Sequence, residues 1–103
     1  MIELEEDNLK EIISQNPKVI VQYGATWCGS CKIVKPKFKR LSGEHPDTVF
    51  AYVDAEKFTQ SRSLATVSNL PTFAGFKNGT LIAQAAGNKQ ETITEVLDAL
   101  ASN

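Results

Sequence analysis

The chain has little cysteine, histidine, methionine or tryptophan: two cysteines and one of each of the others in 103 residues. Two cysteines with a single histidine, His45, cannot supply the four ligands of a structural zinc site, so metal binding within one chain is set aside. Positive charge is not in excess either, since 11 Lys and Arg stand against 12 Asp and Glu for a net charge of −1. That balance gives no electrostatic footprint for nucleic acid or for an anionic membrane surface. No apolar run reaches transmembrane length. The start, Met1-Ile2-Glu3-Leu4-Glu5-Glu6-Asp7, is acidic and lacks the positive flank and apolar stretch of a secretory signal, which leads us to expect a cytoplasmic protein. Internal repeats, low-complexity tracts and linkers are missing as well. With 42% hydrophobic and 22% charged residues, ordinary globular proportions, residues 1–103 are expected to form one domain, and a monomer.

The two cysteines stand together in Trp27-Cys28-Gly29-Ser30-Cys31-Lys32, between an apolar run and a segment of helical periodicity. Cys28 falls where a helix should start. Unpaired backbone N–H groups and the positive end of the helix dipole favour an anion there, so Cys28 should ionise more readily than an ordinary cysteine. Cys31 follows one turn later on the same face, close enough for a disulfide. A structural staple and a pair of inert core thiols remain as alternatives. A staple across two residues would constrain the unfolded chain little. The spacing therefore favours redox chemistry.

Periodic segments run almost end to end. Leu9, Ile12 and Ile13 mark a first helix, with acidic residues suited to its N-terminal turn and Asn16-Pro17 closing it. Val19 to Tyr23 reads as a strand buried on both faces. Cys31, Val34, Phe38 and Leu41 form one inward helical stripe, in which Pro36 should cause a kink. Thr48 to Asp54 gives a second strand, parallel to the first because a helix connects them. Glu56 to Thr66 is a weaker helix. Thr72 to Lys77 and Thr80 to Ala86 flank Asn78-Gly79, a strong hairpin signal. A last helix buries Ile93, Val96, Leu97 and Leu100, with Asn88 and Glu91 as a variant of the capping box. With a short first strand near Ile2 to Leu4, the pattern predicts an α/β fold whose mixed sheet is covered on both faces.

Trp27-Cys28-Gly29-Ser30-Cys31-Lys32, Pro36, Leu70-Pro71-Thr72, Phe76-Lys77-Asn78-Gly79 and Gly87 resemble the motifs of the thioredoxin family, in order and over nearly the whole chain. The resemblance implies a central mixed five-stranded sheet flanked by four helices on both faces, and a protein-disulfide reductase activity. It implies that Cys28 is the attacking thiolate and Cys31 the resolving thiol, with the redox-active disulfide between them and no bound cofactor. Trp27 resembles the aromatic beside the motif, Gly29 and Ser30 the linker that sets the redox poise, and Pro71 the family's cis-proline. Leu70, Pro71, Ala86 and Gly87 would complete, with Trp27, a shallow apolar surface for substrate. Disulfide-containing proteins are the implied partners, and an NADPH-dependent flavoprotein reductase the implied source of electrons.

The chain also departs from the family. Ser30 replaces the usual proline and keeps a backbone N–H that could donate to Cys28. Gln22 stands where many members have a buried Asp, and Phe50 falls near the position of the lysine that accompanies that Asp, so the family's charged pair is expected to be absent. Gly24 replaces a Trp. Lys32, Lys35, Lys37, Lys39 and Arg40 load one helix with cations, read as a solvated face rather than a steering patch. His45 is expected to be exposed. The alternative to a dithiol carrier is a binding module that keeps the fold but acts as a partner subunit; Ser30 also leaves open an oxidising or isomerising role.

Overall fold

A computed structural model describes residues 1–102; Asn103, the end of the expected domain, lies outside them. The apolar run after Pro17 forms β2 (Lys18–Gly24) at the centre of a five-stranded sheet, and β3 (Val49–Asp54) lies parallel beside it. β1 (Ile2–Glu3) adds a parallel edge, with Ile2 opposite Ala51. β4 (Thr72–Lys77) pairs antiparallel with β2, and β5 (Thr80–Ala86) antiparallel with β4, giving the order β1-β3-β2-β4-β5. The hairpin turn is Asn78 and Gly79, with φ of 51° and 84°, the positive pair that a two-residue turn matching strand twist requires.

Successive residues of β2 alternate between two cores. Val19, Val21 and Tyr23 face Leu9 and Ile13 of α1 (Leu9–Gln15) and the Phe58 to Val67 segment. Ile20 faces Val34, Phe38 and Leu41 of α2 (Gly29–Ser42) and the buried stripe of α4 (Gln90–Ala101). The stripes read from the sequence are those that are buried. α4 comes so close to the sheet that a Cβ on Gly75 would lie 2.8 Å from Val96 Cγ1.

Three local expectations need correction. The helix over Glu56 to Thr66 shrinks to α3 (Thr59–Arg62), because Asp54 Oδ1 accepts from the backbone of Glu56 and Lys57 at 3.0 and 3.1 Å and holds those residues in a turn. The acidic N-terminus does not cap α1: Asp7 instead accepts from Gln60 and Ser61 at the start of α3, at 3.0 and 2.7 Å. The Asn88–Glu91 box is not formed. Lys89 is the N-cap of α4, without a side-chain cap, so Glu91 lies one position too early for the reciprocal bond and acts only through the helix dipole.

Candidate active site

The site forms where β2 hands over to α2. Cys28 is the N-cap, in an extended conformation, and its sulfur accepts from the backbone N–H of Cys31 at 3.2 Å. This is the geometry by which Ser or Asp usually caps a helix, with sulfur in place of oxygen. Cys28 and Cys31 are joined in a disulfide with Cα atoms 5.3 Å apart. Their exposures differ: Cys28 retains 5% and Cys31 none.

Ala25 and the partly buried Leu70 pack against the two cysteines. The Leu70–Pro71 peptide is cis, and the Pro71 carbonyl accepts from Gly87 N–H at 3.0 Å, which ties the two loops expected to flank the site. Gly87 has φ of 140°, and a Cβ there would lie 3.0 Å from Thr92 Oγ1, so both backbone and space call for glycine. Ala86 is exposed and pairs with Thr72, next to Pro71. Trp27 is 65% exposed, an uncovered aromatic beside the cysteines in sequence. Lys32 gives its backbone N–H to the Cys28 carbonyl at 3.3 Å while its side chain stays exposed.

The departures acquire physical reasons. Gly24 makes room for Tyr52, whose hydroxyl lies 2.4 Å from where a Cβ on Gly24 would be. Lys35, expected on the solvated face, instead pairs with Glu3 and sits 4.2 Å above the Tyr52 ring. Lys32, Lys37, Lys39 and Arg40 are exposed as expected. His45 is half-buried rather than exposed, its ring 6.2 Å from that of Phe50, which in turn packs on Phe38. Gly29 is exposed and open around its Cα. The donor to the Cys28 sulfur is the Cys31 N–H rather than that of Ser30, whose hydroxyl lies 3.5 Å from the sulfur. Gln22 is fully buried and donates through Nε2 to the Cys31 carbonyl at 3.2 Å.

Gln84 carries no sequence signal of importance, being a polar residue on the exposed face of β5. Its amide clasps the backbone of Thr66, accepting from N–H at 2.9 Å and donating to C=O at 2.7 Å. Arg62 reaches the Val67 carbonyl at 2.9 Å. Together they fix the segment that leads to Pro71.

The sequence profile of the thioredoxin family matches residues 1–99. The chain belongs to the thioredoxin family. Thioredoxin-1 of Schizosaccharomyces pombe is 37% identical over 78 residues, covering 76% of each chain. Among solved structures, thioredoxin of Schistosoma mansoni superposes with a TM-score of 0.84 at 36% identity, over 98% of this chain and 93% of that one. Plasmodium falciparum thioredoxin gives a TM-score of 0.88 at 27% identity, over 95% and 97%. The thioredoxin fold expected from the sequence is therefore the observed one, with five strands and four helices among the described residues.

Proposed function

We propose that this protein reduces protein disulfides by dithiol–disulfide exchange, with Cys28 attacking and Cys31 resolving. Its class, thiol-disulfide oxidoreductase with a redox-active disulfide, is that of the thioredoxin family to which it belongs. The assignment of roles rests on the asymmetry of the pair. Cys28 keeps 5% exposure and sits at the helix N-terminus, where the Cys31 N–H and the helix dipole favour a thiolate; Cys31 is wholly enclosed.

In the reduced protein the Cys28 thiolate attacks one sulfur of the substrate disulfide. The substrate S–S bond breaks, its second sulfur leaves and takes a proton, and a mixed disulfide forms. Cys31 then gives up its proton and attacks the Cys28 sulfur. The substrate departs as a dithiol, and two electrons have passed to it from the protein, now a disulfide. Trp27, Leu70, Pro71, Ala86 and Gly87 form the surface against which the substrate segment lies. A flavoprotein reductase using NADPH returns the electrons, and the cytoplasm is the compartment that suits such a monomeric carrier.

The test is dithiothreitol-driven reduction of insulin. Wild type should accelerate it, and Cys28→Ser should fall to the uncatalysed background. Equal rates with and without the wild-type protein would replace this reading with that of a binding module.

A further inference from the structure

Gln22 occupies the middle of the sheet, between Tyr52 of β3 and Phe73 of β4, and has no exposed surface. While Nε2 holds the Cys31 carbonyl at 3.2 Å, Oε1 has no hydrogen-bond partner, the one buried side-chain nitrogen or oxygen in that condition among the described residues. Exchanging the two amide atoms would only worsen matters. The oxygen would then face the Cys31 carbonyl, acceptor against acceptor, and the NH2 group would lose its partner. A buried acceptor left unpaired is destabilising, and such an atom beside a reactive group calls for a reason.

The redox couple supplies one. In the disulfide neither sulfur bears a hydrogen. When two electrons from a dithiol reductant cleave the S–S bond, Cys28 is favoured as the thiolate and Cys31 takes a proton, while the reductant becomes a disulfide. Cys31 has no exposure to water, so an acceptor for its new S–H has to be a protein group, either the Cys28 sulfur across the opened bond or the spare oxygen of Gln22. The amide already anchored to the Cys31 main chain has an acceptor to spare.

We propose that Gln22 is a positioning residue whose Oε1 accepts a hydrogen bond from the Cys31 thiol in the reduced protein, so that the dithiol holds one hydrogen bond more than the disulfide and the couple is drawn toward its reduced form. The Nε2 bond keeps the amide against the first turn of α2 in both states. Gln22 thus acts on the equilibrium between the two states and on the orientation of the resolving thiol. The proposal rests on the Cys28–Cys31 pair cycling between disulfide and dithiol, whichever substrate it meets.

The experiment equilibrates wild type, Gln22→Leu and Gln22→Met with mixtures of reduced and oxidised dithiothreitol, and follows denaturant unfolding of each protein in both redox states. The variants should shift the equilibrium constant about tenfold toward the disulfide, a fall in potential of about 30 mV. Their reduced forms should lose more stability, relative to wild type, than their oxidised forms. An unchanged equilibrium constant, with both forms weakened equally, would reduce Gln22 to a structural residue and overturn the proposal. If neither variant folds, the Cys31 S–H stretching band of Cys28→Ala, in which no thiolate competes as acceptor, decides: a hydrogen-bonded frequency supports the proposal and a free one overturns it. Failure of the reductase reading would look different, since insulin would go unreduced while the Gln22 variants still moved the potential.

Discussion

Gln22 and Tyr23 are neighbours on one strand, both wholly buried and both polar, yet they face opposite cores and are treated differently there. Tyr23 donates its hydroxyl to the Ser61 carbonyl at 2.9 Å, and Ser61 is used to the full: its N–H goes to Asp7 and its hydroxyl oxygen accepts from Leu9 N–H at 3.2 Å. This closed network knits β2, α1 and α3 together. Burial raises the Tyr23 pKa well above the usual phenol value, which keeps the donor protonated. Behind the cysteines, by contrast, the Gln22 amide is half-satisfied. Polar groups with a purely architectural task are fully paired, whereas one beside the redox pair keeps an acceptor in hand.

The comparison breaks if the face under α2 is merely loosely packed. Gly24→Ala tests this, because the new Cβ meets Tyr52 at 2.4 Å and should cost about 1–3 kcal/mol through overpacking. Denaturant unfolding that left Gly24→Ala as stable as wild type would make the unpaired oxygen of Gln22 a sign of slack. Tyr23→Phe should cost about 1 kcal/mol, and the same amount in the oxidised and reduced proteins, since its partners lie away from the cysteines. A redox-dependent loss would erase the contrast between the two faces.

Asp7 gives a pH-dependent view of the closed side. Its carboxyl is held below the ordinary value of 3.8, chiefly by the Ser61 hydroxyl and further by the backbone N–H groups of Gln60 and Ser61, against desolvation that raises it. A lowered folded pKa means that this contribution is full well above the unfolded value of 3.8 and fades as pH falls through the folded value. Asp7→Asn should flatten that part of the stability profile, on the acid side of the ordinary carboxyl value of 3.8; a profile identical to wild type would place the acid sensitivity elsewhere.

The smallest effect concerns Ser30, on the open side. The Cys31 N–H reaches the Cys28 sulfur whatever residue occupies position 30, so only the Ser30 hydroxyl, at 3.5 Å, remains as a local contributor. Ser30→Ala and Ser30→Pro should both lower the potential, each by less than about 30 mV and by similar amounts. A fall in the proline variant alone would mean that the backbone N–H of Ser30 matters after all.

What the sequence made legible follows the range of the forces involved. The hairpin at Asn78-Gly79, the inward stripes of α2 and α4 and the cysteine pair are local patterns of conformational preference and period, and all appear where they were expected. Bonds between side chains and distant backbone were illegible, because no period encodes them. Asp7 caps a helix 54 residues away, and Gln84 clasps Thr66 across 18. Gln22 was placed correctly on a buried strand behind the motif, but only the structure shows which amide atom is engaged and which is spare. α4 starts one residue later than the Asn88–Glu91 pattern implies, with Lys89 rather than Asn88 as its N-cap.

The most direct test of the division of labour between the two cysteines is to map the trapped intermediate. Cys31→Ser, reduced and mixed with an excess of a disulfide-containing protein, should accumulate a mixed disulfide whose bond mass spectrometry locates at Cys28, while Cys28→Ser under the same conditions stays unmodified. Substrate found on Cys31 of the Cys28→Ser protein, at a comparable rate, would contradict the account.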